Sequence, residues 1–207
     1  MDLFDQAQGQ PHNLLCKDGE ARYYGRVMAA AEADEYLECF LKSIDWKNDR
    51  VIIYGRNILT RRMVAFYGDK PFDYTYSKTT KHALPWTKEL LHLKNLVEEE
   101  TGTNYNSCLL NLYHNGDEGM AWHSDAELAL KKNGEIASVS FGAERRFAFK
   151  HKNSKVTIAL NLEHGSLLIM AGEIQSNWLH SLPTTKKSAS PRVNVTFRQM
   201  QEKSKLA

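Results

Sequence analysis

The sequence predicts a mainly β chain of the α+β class: a double-stranded β-helix, or jelly roll, with N-terminal helices packed on one side. Three observations carry this. From Tyr105 onward, short apolar and β-branched runs recur between turn signals such as Asn115-Gly116, Asn133-Gly134 and His164-Gly165. Ahead of them stand two segments whose apolar residues repeat at helical spacing. Many short strands following two helices suit a closed β core with a helical layer on one face.

In chain order, residues 1–20 are polar and carry Gly9, Pro11 and Gly19, which predicts a flexible lead-in before a single domain over 21–207. A first strand is expected over Arg22–Met28. Ala29–Ser43 reads as an amphipathic helix with Ala33, Leu37, Phe40, Leu41 and Ile44 on one face. Val51–Arg56 reads as a strand entering a turn. A second helix is expected from Trp86 to Glu100, lined by Leu90, Leu93 and Val97, with Gly102 at its C-cap. Strands then follow at Tyr105–Tyr113, Ile136–Phe141, Arg146–Lys150, Val156–Leu162, Ser166–Met170 and Arg192–Gln199, with a loop over Thr184–Ser190.

Composition narrows the function classes. A net charge of +2 over 207 residues does not mark a nucleic-acid binder, so any basic face is local. Three scattered cysteines, Cys16, Cys39 and Cys108, argue against a disulfide framework or a zinc knuckle and point to a reducing compartment. The first residues show no basic, apolar leader, and no apolar run approaches the roughly 20 residues that cross a bilayer. The expectation is a cytoplasmic protein (nucleoid-associated in a bacterium, nuclear in a eukaryote), without a membrane. With no heptad pattern, a monomer is expected.

The chemistry concentrates between Asn111 and Arg198. His123-x-Asp125 puts two ligands on one side of an extended segment, because side chains alternate with period two. His180, within Trp178-Leu179-His180-Ser181-Leu182-Pro183, can supply a third. Two imidazoles and one carboxylate leave open positions on an octahedral ion, the ligand set of non-haem Fe(II) oxygenases. Each piece is weak alone, since eight histidines make chance matches common. His114, His151 and His164 lie in or near turns and are expected simply to be hydrogen-bonded.

Arg192, Asn194, Thr196 and Arg198 alternate with Val193, Val195 and Phe197, so the polar set shares one strand face. Two arginines on an inward face require anions. A five-carbon dicarboxylate would supply one at each end, and guanidinium forks bind carboxylates bidentately. A solvent-facing edge is the competing reading. Across residues 50–82, Arg61, Arg62, Lys70, Lys78 and Lys81 interleave with Phe66, Tyr67, Phe72, Tyr74 and Tyr76. That mixture suits a surface meeting phosphates and base faces, or an ordinary half-buried sheet with solvated lysines.

Asn111-x-Tyr113, His123-x-Asp125, the distant His180 and Arg192-x-Asn194-x-Thr196-x-Arg198 together resemble the AlkB family of Fe(II)/2-oxoglutarate dioxygenases. The resemblance covers about residues 50–200 and includes Ile136-Ala137-Ser138-Val139-Ser140-Phe141-Gly142-Ala143 and His164-Gly165-Ser166-Leu167-Leu168. Tyr67-Gly68-Asp69 and Tyr74-Thr75-Tyr76-Ser77 are similar to the branch that repairs N-alkylated bases in double-stranded DNA. The resemblance implies Fe(II) on His123, Asp125 and His180, with 2-oxoglutarate and O2 as co-substrates. Arg198 with Asn194, and with Thr196 on the same face, would hold the 2-oxoglutarate end that chelates iron. Arg192 with Tyr113 and Asn111 would hold the distal carboxylate. Alkylated DNA, double- and possibly single-stranded, is the implied partner, and RNA is an alternative.

The resemblance also makes residues 50–82 a nucleotide-recognition lid. It implies that Tyr76 stacks on a flipped base, with Tyr74 beside it, and that Glu127 meets the exocyclic edge of the base. Ile53, Tyr54 and Gly55 would form a wedge, and Arg56 and Arg62 would contact the DNA backbone or the vacated stack. Lys150, Lys152, Lys155, Lys186 and Lys187 are further phosphate candidates. Two positions depart from the pattern: Tyr54 adds a hydroxyl to an apolar finger, and Ala126 stands where relatives can carry an acid. Competing readings are an RNA or protein demethylase or hydroxylase of the same chemistry, a zinc hydrolase on the same ligands, and a non-catalytic jelly-roll binding module.

Overall fold

The computed structural model of the protein describes residues 11–53, 56–76 and 79–201. The chain runs β1 (Glu20–Arg26), α1 (Ala30–Ser43), β2 (Lys47–Ile53), β3 (Arg56–Gly68), β4 (Asp73–Tyr76), β5 (Thr79–His82), α2 (Lys88–Thr101), β6 (Ser107–Tyr113) and β7 (Met120–His123). It continues with β8 (Ile136–Gly142), β9 (Arg145–His151), β10 (Thr157–Leu162), β11 (Ser166–Ala171), α3 (Ile174–Asn177), β12 (Trp178–Leu182) and β13 (Arg192–Arg198).

The strands form a large sheet, ordered β1-β11-β8-β13-β6-β3-β2, and a small one, ordered β10-β9-β12-β7, with β4–β5 as a separate hairpin. From β6 to β13 the chain passes back and forth between the two sheets, which is the double-stranded β-helix expected. Named strands pair antiparallel throughout.

Alternation along the large sheet separates two environments. Val193, Val195 and Phe197 of β13 join Leu110, Leu112, Val139 and Phe141 in one apolar core. Tyr36 and Phe40 of α1 and Leu90, Leu93 and Val97 of α2 cover that face. Burying one such side chain contributes roughly 1.5–3 kcal/mol, enough to pin the helices to the sheet. The opposite face of the same strands looks into the barrel and carries the polar residues of the site. Tyr36 completes the α1 stripe, while Leu41 is exposed.

Helix α2 starts two residues later than predicted because Thr87 is extended and its hydroxyl accepts the Leu90 N–H. Its end is as read: Gly102 takes φ 69°, a left-handed conformation that glycine adopts without steric cost. The six later strands fall within a few residues of expectation. Among the strands from Tyr105 onward, two went unpredicted, β7 and β12, and they carry His123 and His180. Both are short, and neither shows clean apolar alternation, because each sends a metal-type ligand inward.

The lead-in is anchored earlier than expected. Asn13 Oδ1 accepts from Leu15 N at 3.1 Å and Ala21 N at 2.9 Å, and Leu15 is buried. Trp178 Nε1 donates to the Lys17 carbonyl at 3.1 Å. Residues 1–10 lie outside the described residues. Among the described residues, no helix is long and apolar enough to cross a membrane.

Candidate metal and co-substrate centre

Antiparallel pairing of β12 with β7 sets His180 directly opposite His123. Their rings lie 4.2 Å apart between centroids at 64°. Asp125 follows β7 in extended chain, so its side chain returns to the same side. Its Oδ1 is 3.9 Å from His123 Nε2 and its Oδ2 3.9 Å from His180 Nε2. Those separations are too long for hydrogen bonds. One ligand atom from each of the three residues lies within 4.8 Å of the others, which leaves room for an ion between them.

The protonation states suit a cation. His123 Nδ1 lies 2.8 Å from the Ala121 carbonyl, an acceptor, so Nδ1 carries the proton and Nε2 presents a lone pair. Burial, reinforced by His123, drives His180 down to about 3, so its imidazole is neutral. Burial alone would raise the Asp125 carboxyl, but Arg198, His180 and His123 outweigh it and hold the group below the usual carboxylate range. Gln175 of α3 fixes the backbone beside it: its Oε1 accepts the Asp125 N–H at 2.9 Å. Two imidazole nitrogens and one ionised carboxylate, on rigid supports, are what an Fe(II)-type site needs.

The inner face of β13 lies beside this trio. Arg192 stands opposite Tyr113 and Asn194 opposite Asn111 in the β13–β6 ladder. Arg198 is buried and its Nη2 is 3.2 Å from Asp125 Oδ2. Its Nη1 donates to the Tyr74 hydroxyl at 2.9 Å. Although burial opposes its charge, Asp125 and Tyr74 raise its pKa above the ordinary value.

Arg192 is also buried, with its guanidinium 5.6 Å from the Tyr113 ring centre and Nη2 donating to Ser140 Oγ at 2.9 Å. Among the described residues no carboxylate pairs with it, and its Nε has no acceptor. Burial lowers its pKa to about 10, so it still carries its charge near neutrality. A buried cation without an anion is costly, and a ligand carboxylate at this point would relieve it.

Other predicted residues are placed differently. Asn194 and Thr196 face the cavity, but their polar groups are engaged. Asn194 Nδ2 donates to Ser138 Oγ at 2.8 Å and the Val139 carbonyl at 3.0 Å, and its Oδ1 accepts from Thr196 at 3.1 Å. They brace the sheet, leaving donation at that end to Arg198.

Arg62 is corrected outright. It is buried, its guanidinium pairs with Asp49 Oδ2 and donates to Asn111 Oδ1, and Lys81 Nζ completes the cluster 2.8 Å from Asp49 Oδ1. Alternation along β3 points Arg62 into the barrel with Val64, while Arg61 faces solvent. It therefore cannot contact a DNA backbone. Because the Asn111 oxygen faces Arg62, its amide N–H groups face elsewhere.

Tyr74 is buried against Phe66, and its hydroxyl donates to Glu127 Oε1 at 2.6 Å. Burial raises its phenol well above the ordinary value, so it stays a donor. It forms part of the wall, not an open stacking face. Tyr54 and Gly55 lie outside the described residues, as do the side chains of Ile53, Arg56 and Tyr76. Lys152 is committed to the Gln175 and Ser176 carbonyls at 2.9 and 2.8 Å, whereas Lys186 and Lys187 are exposed. Lys150 lies 4.7 Å over the Trp122 ring. His114, His151 and His164 are hydrogen-bonded away from the site, as expected.

The sequence reading missed Arg145. Its Nη2 donates to the carbonyls of Glu118 at 2.9 Å and Pro183 at 2.8 Å, tying the loop before β7 to the loop after β12. Gly116 permits that contact, since a Cβ there would stand 2.1 Å from the Thr185 carbonyl oxygen. A strand-initiating arginine carries no signal for such a role.

Comparison with known proteins gives a family match, three relatives and a solved structure of similar fold. The family described as the 2OG-Fe(II) oxygenase superfamily matches residues 20–198. The Homo sapiens protein named "Alpha-ketoglutarate-dependent dioxygenase alkB homolog 3" is 41% identical over 185 residues, covering 84% of this chain and 64% of that protein. Its Bos taurus counterpart is 41% identical over 177 residues, 81% of this chain and 61% of its own length. The chain thus spans just over three fifths of these relatives. "DNA oxidative demethylase ALKBH2" of Homo sapiens is 37% identical over 188 residues, 86% of this chain and 72% of the relative. In fold, the chain resembles the solved structure of OsALKBH1 with a TM-score of 0.60, covering 89% of this chain and 98% of that one at 15% identity.

Proposed function

We propose that this chain, which belongs to the AlkB family within the 2OG-Fe(II) oxygenase superfamily, oxidatively removes alkyl groups from the bases of alkylated DNA. It consumes 2-oxoglutarate and O2 and releases succinate and formaldehyde. The observation that carries this reading is the buried Arg192, with no anion among the described residues, in the same cavity as the His123–Asp125–His180 trio. A zinc hydrolase or a binding module gives that guanidinium no purpose.

His123, Asp125 and His180 hold Fe(II), which together with 2-oxoglutarate and O2 supplies the oxidising power. Arg192 clamps the distal carboxylate of 2-oxoglutarate over Tyr113, and Asn111 lines the same cavity. Arg198 keeps Asp125 ionised and presents positive charge to the metal-side carboxylate. Because both anchors belong to one strand, the co-substrate is held in a single orientation.

A base within a duplex cannot reach an interior metal, so it must flip. Flipping costs a few kcal/mol, less where alkylation already blocks pairing. Stacking on Tyr76 returns about 1–3 kcal/mol, and Ile53, Tyr54 and Gly55 serve as the wedge that fills the gap in the stack. Lys186 and Lys187, exposed beside the Arg145-clamped loops, meet phosphates. Action on DNA places the protein with the genome.

The test is formaldehyde release from methylated single-stranded DNA, duplex DNA and RNA, with and without 2-oxoglutarate. Release that requires 2-oxoglutarate, from DNA more than from RNA, is expected. Succinate formation without formaldehyde from any nucleic acid would overturn the substrate and keep the chemistry.

A further inference from the structure

A second crevice meets the metal cavity at Asp125 and Arg198, which line both. Glu127 and Gln175 line it as well. Three buried polar atoms on its walls have no hydrogen-bond partner among the described residues: Glu127 Oε2, Gln175 Nε2 and Arg198 Nε. Leaving a buried polar atom unpaired costs about 1–3 kcal/mol, so three around one crevice point to a ligand that supplies partners.

The chemistry of each atom is fixed by its neighbour. Gln175 Oε1 accepts the Asp125 N–H, so the other end of the carboxamide is the NH2 group, a donor only. Glu127 Oε1 accepts the Tyr74 hydroxyl, so Oε2 remains as an acceptor. The crevice therefore offers an acceptor and a donor next to the metal trio.

Resting on the reading above, we propose that Gln175 is a specificity-determining residue that, with Glu127, recognises a base edge carrying an amino group next to a ring acceptor. N1-methyladenine keeps such an edge: its N6 amino group donates and its N7 accepts. N3-methylcytosine offers the N4 amino group with only C5–H beside it. Glu127 alone serves either lesion, since both carry an exocyclic amine. Gln175 serves adenine alone, because its N–H meets N7 in one case and a carbon-bound hydrogen in the other. Methylated adenine is thus the preferred substrate class of this chain.

The test measures binding of three single-stranded oligonucleotides, unmodified or carrying one N1-methyladenine or one N3-methylcytosine, to the full chain loaded with Mn(II) and 2-oxoglutarate. The expected wild-type result is binding of the methyladenine strand about tenfold tighter than the methylcytosine strand. Gln175→Glu keeps an oxygen for the Asp125 N–H and replaces the donor by an acceptor, so the preference should vanish or invert. Gln175→Leu should abolish it, and a retained Mn(II) affinity shows that the metal trio has survived. A wild type without adenine preference, or a preference untouched in Gln175→Glu, overturns the role of Gln175 while methylated strands still outbind the unmodified one. Equal binding of all three strands overturns both this assignment and the alkylated-DNA reading.

Discussion

Arg198 and Arg192 project from the same face of β13 and are equally buried, yet they live in opposite electrostatic circumstances. Arg198 leans on Asp125 and the Tyr74 hydroxyl, and its charge is reinforced. Arg192 has a ring face, a serine hydroxyl and no anion among the described residues, and burial weakens its hold on its proton. The metal end of the cavity is balanced by the fold itself, whereas the other end holds a buried charge that no described residue neutralises. On the proposed reading, one end stays rigid to hold three ligands and the missing charge of the other selects a dicarboxylate.

The severest way to break the contrast is at the metal end. Asp125→Ala removes one ligand and strands Arg198 without its anion. Succinate formation from 2-oxoglutarate should disappear; turnover above a tenth of wild type would remove Asp125 from the ligand set. Next in size, Arg192→Met should weaken 2-oxoglutarate binding by about 30-fold or more, since losing one partner of a buried charge pair costs roughly 2–5 kcal/mol. Calorimetry of the Mn(II)-loaded protein measures this directly. A change under threefold would mean that the distal carboxylate sits elsewhere.

Stability should separate the two arginines by sign. In the absence of 2-oxoglutarate, Arg192→Met removes an uncompensated buried cation and should leave stability unchanged or raise it, by up to about 1–4 kcal/mol. Arg198→Met leaves Asp125 buried beside neutral groups and should destabilise by about 3–5 kcal/mol. Urea unfolding of the metal-free protein compares them; loss of stability in both would show that Arg192 has a structural partner after all.

What the sequence revealed follows the same division. Alternation on β13 and the spacing of His123 and Asp125 were legible because a strand has period two and one face must be apolar: Val193, Val195 and Phe197 bury against the helices and force Arg192 and Arg198 inward. Strands β7 and β12 were not legible as strands, since a segment of four or five residues that carries a ligand has no apolar rhythm to detect. Arg62 was misread for a related reason. Its place among basic and aromatic residues suggested phosphate contact, while its actual partner, Asp49, lies on a different strand and is joined to it only by the β2–β3 ladder. Gln175 left no trace in the sequence, because its role depends on α3 arriving beside the Asp125 backbone.

The pH response of the metal-free protein sharpens the picture at the metal end. His180 titrates near its ordinary 6.5 when unfolded and at about 3 when folded, so between those values the unfolded chain binds more protons. Stability is therefore full above about pH 6.5 and falls as pH drops toward 3, by up to about 1.4 kcal/mol per unit. The depressed Asp125 carboxyl adds its loss below its ordinary 3.8, in the same direction. Adding Mn(II) should keep this slope and carry it to lower pH, because a coordinated imidazole stays unprotonated in the folded protein while the unfolded chain still takes up the proton. His180→Gln should flatten it without metal; an unaltered slope in that variant would place the titration on another group.

The smallest effect tests whether the two ends are separate. Tyr74 touches the metal end alone: its hydroxyl joins Glu127 to Arg198. Tyr74→Phe leaves an oxygen of Glu127 and an N–H of Arg198 short of one partner each, a cost of about 1–3 kcal/mol in stability. Because Arg198 still holds Asp125, succinate formation should persist. Because Arg192 is untouched, the 2-oxoglutarate KM should stay within about threefold of wild type. Glu127, freed from the hydroxyl, loses its fixed orientation, so KM for methylated DNA should rise by more than the 2-oxoglutarate KM does. If instead 2-oxoglutarate binding suffers as it does in Arg192→Met, the two arginines form one electrostatic unit, and the division between a balanced end and a waiting end fails.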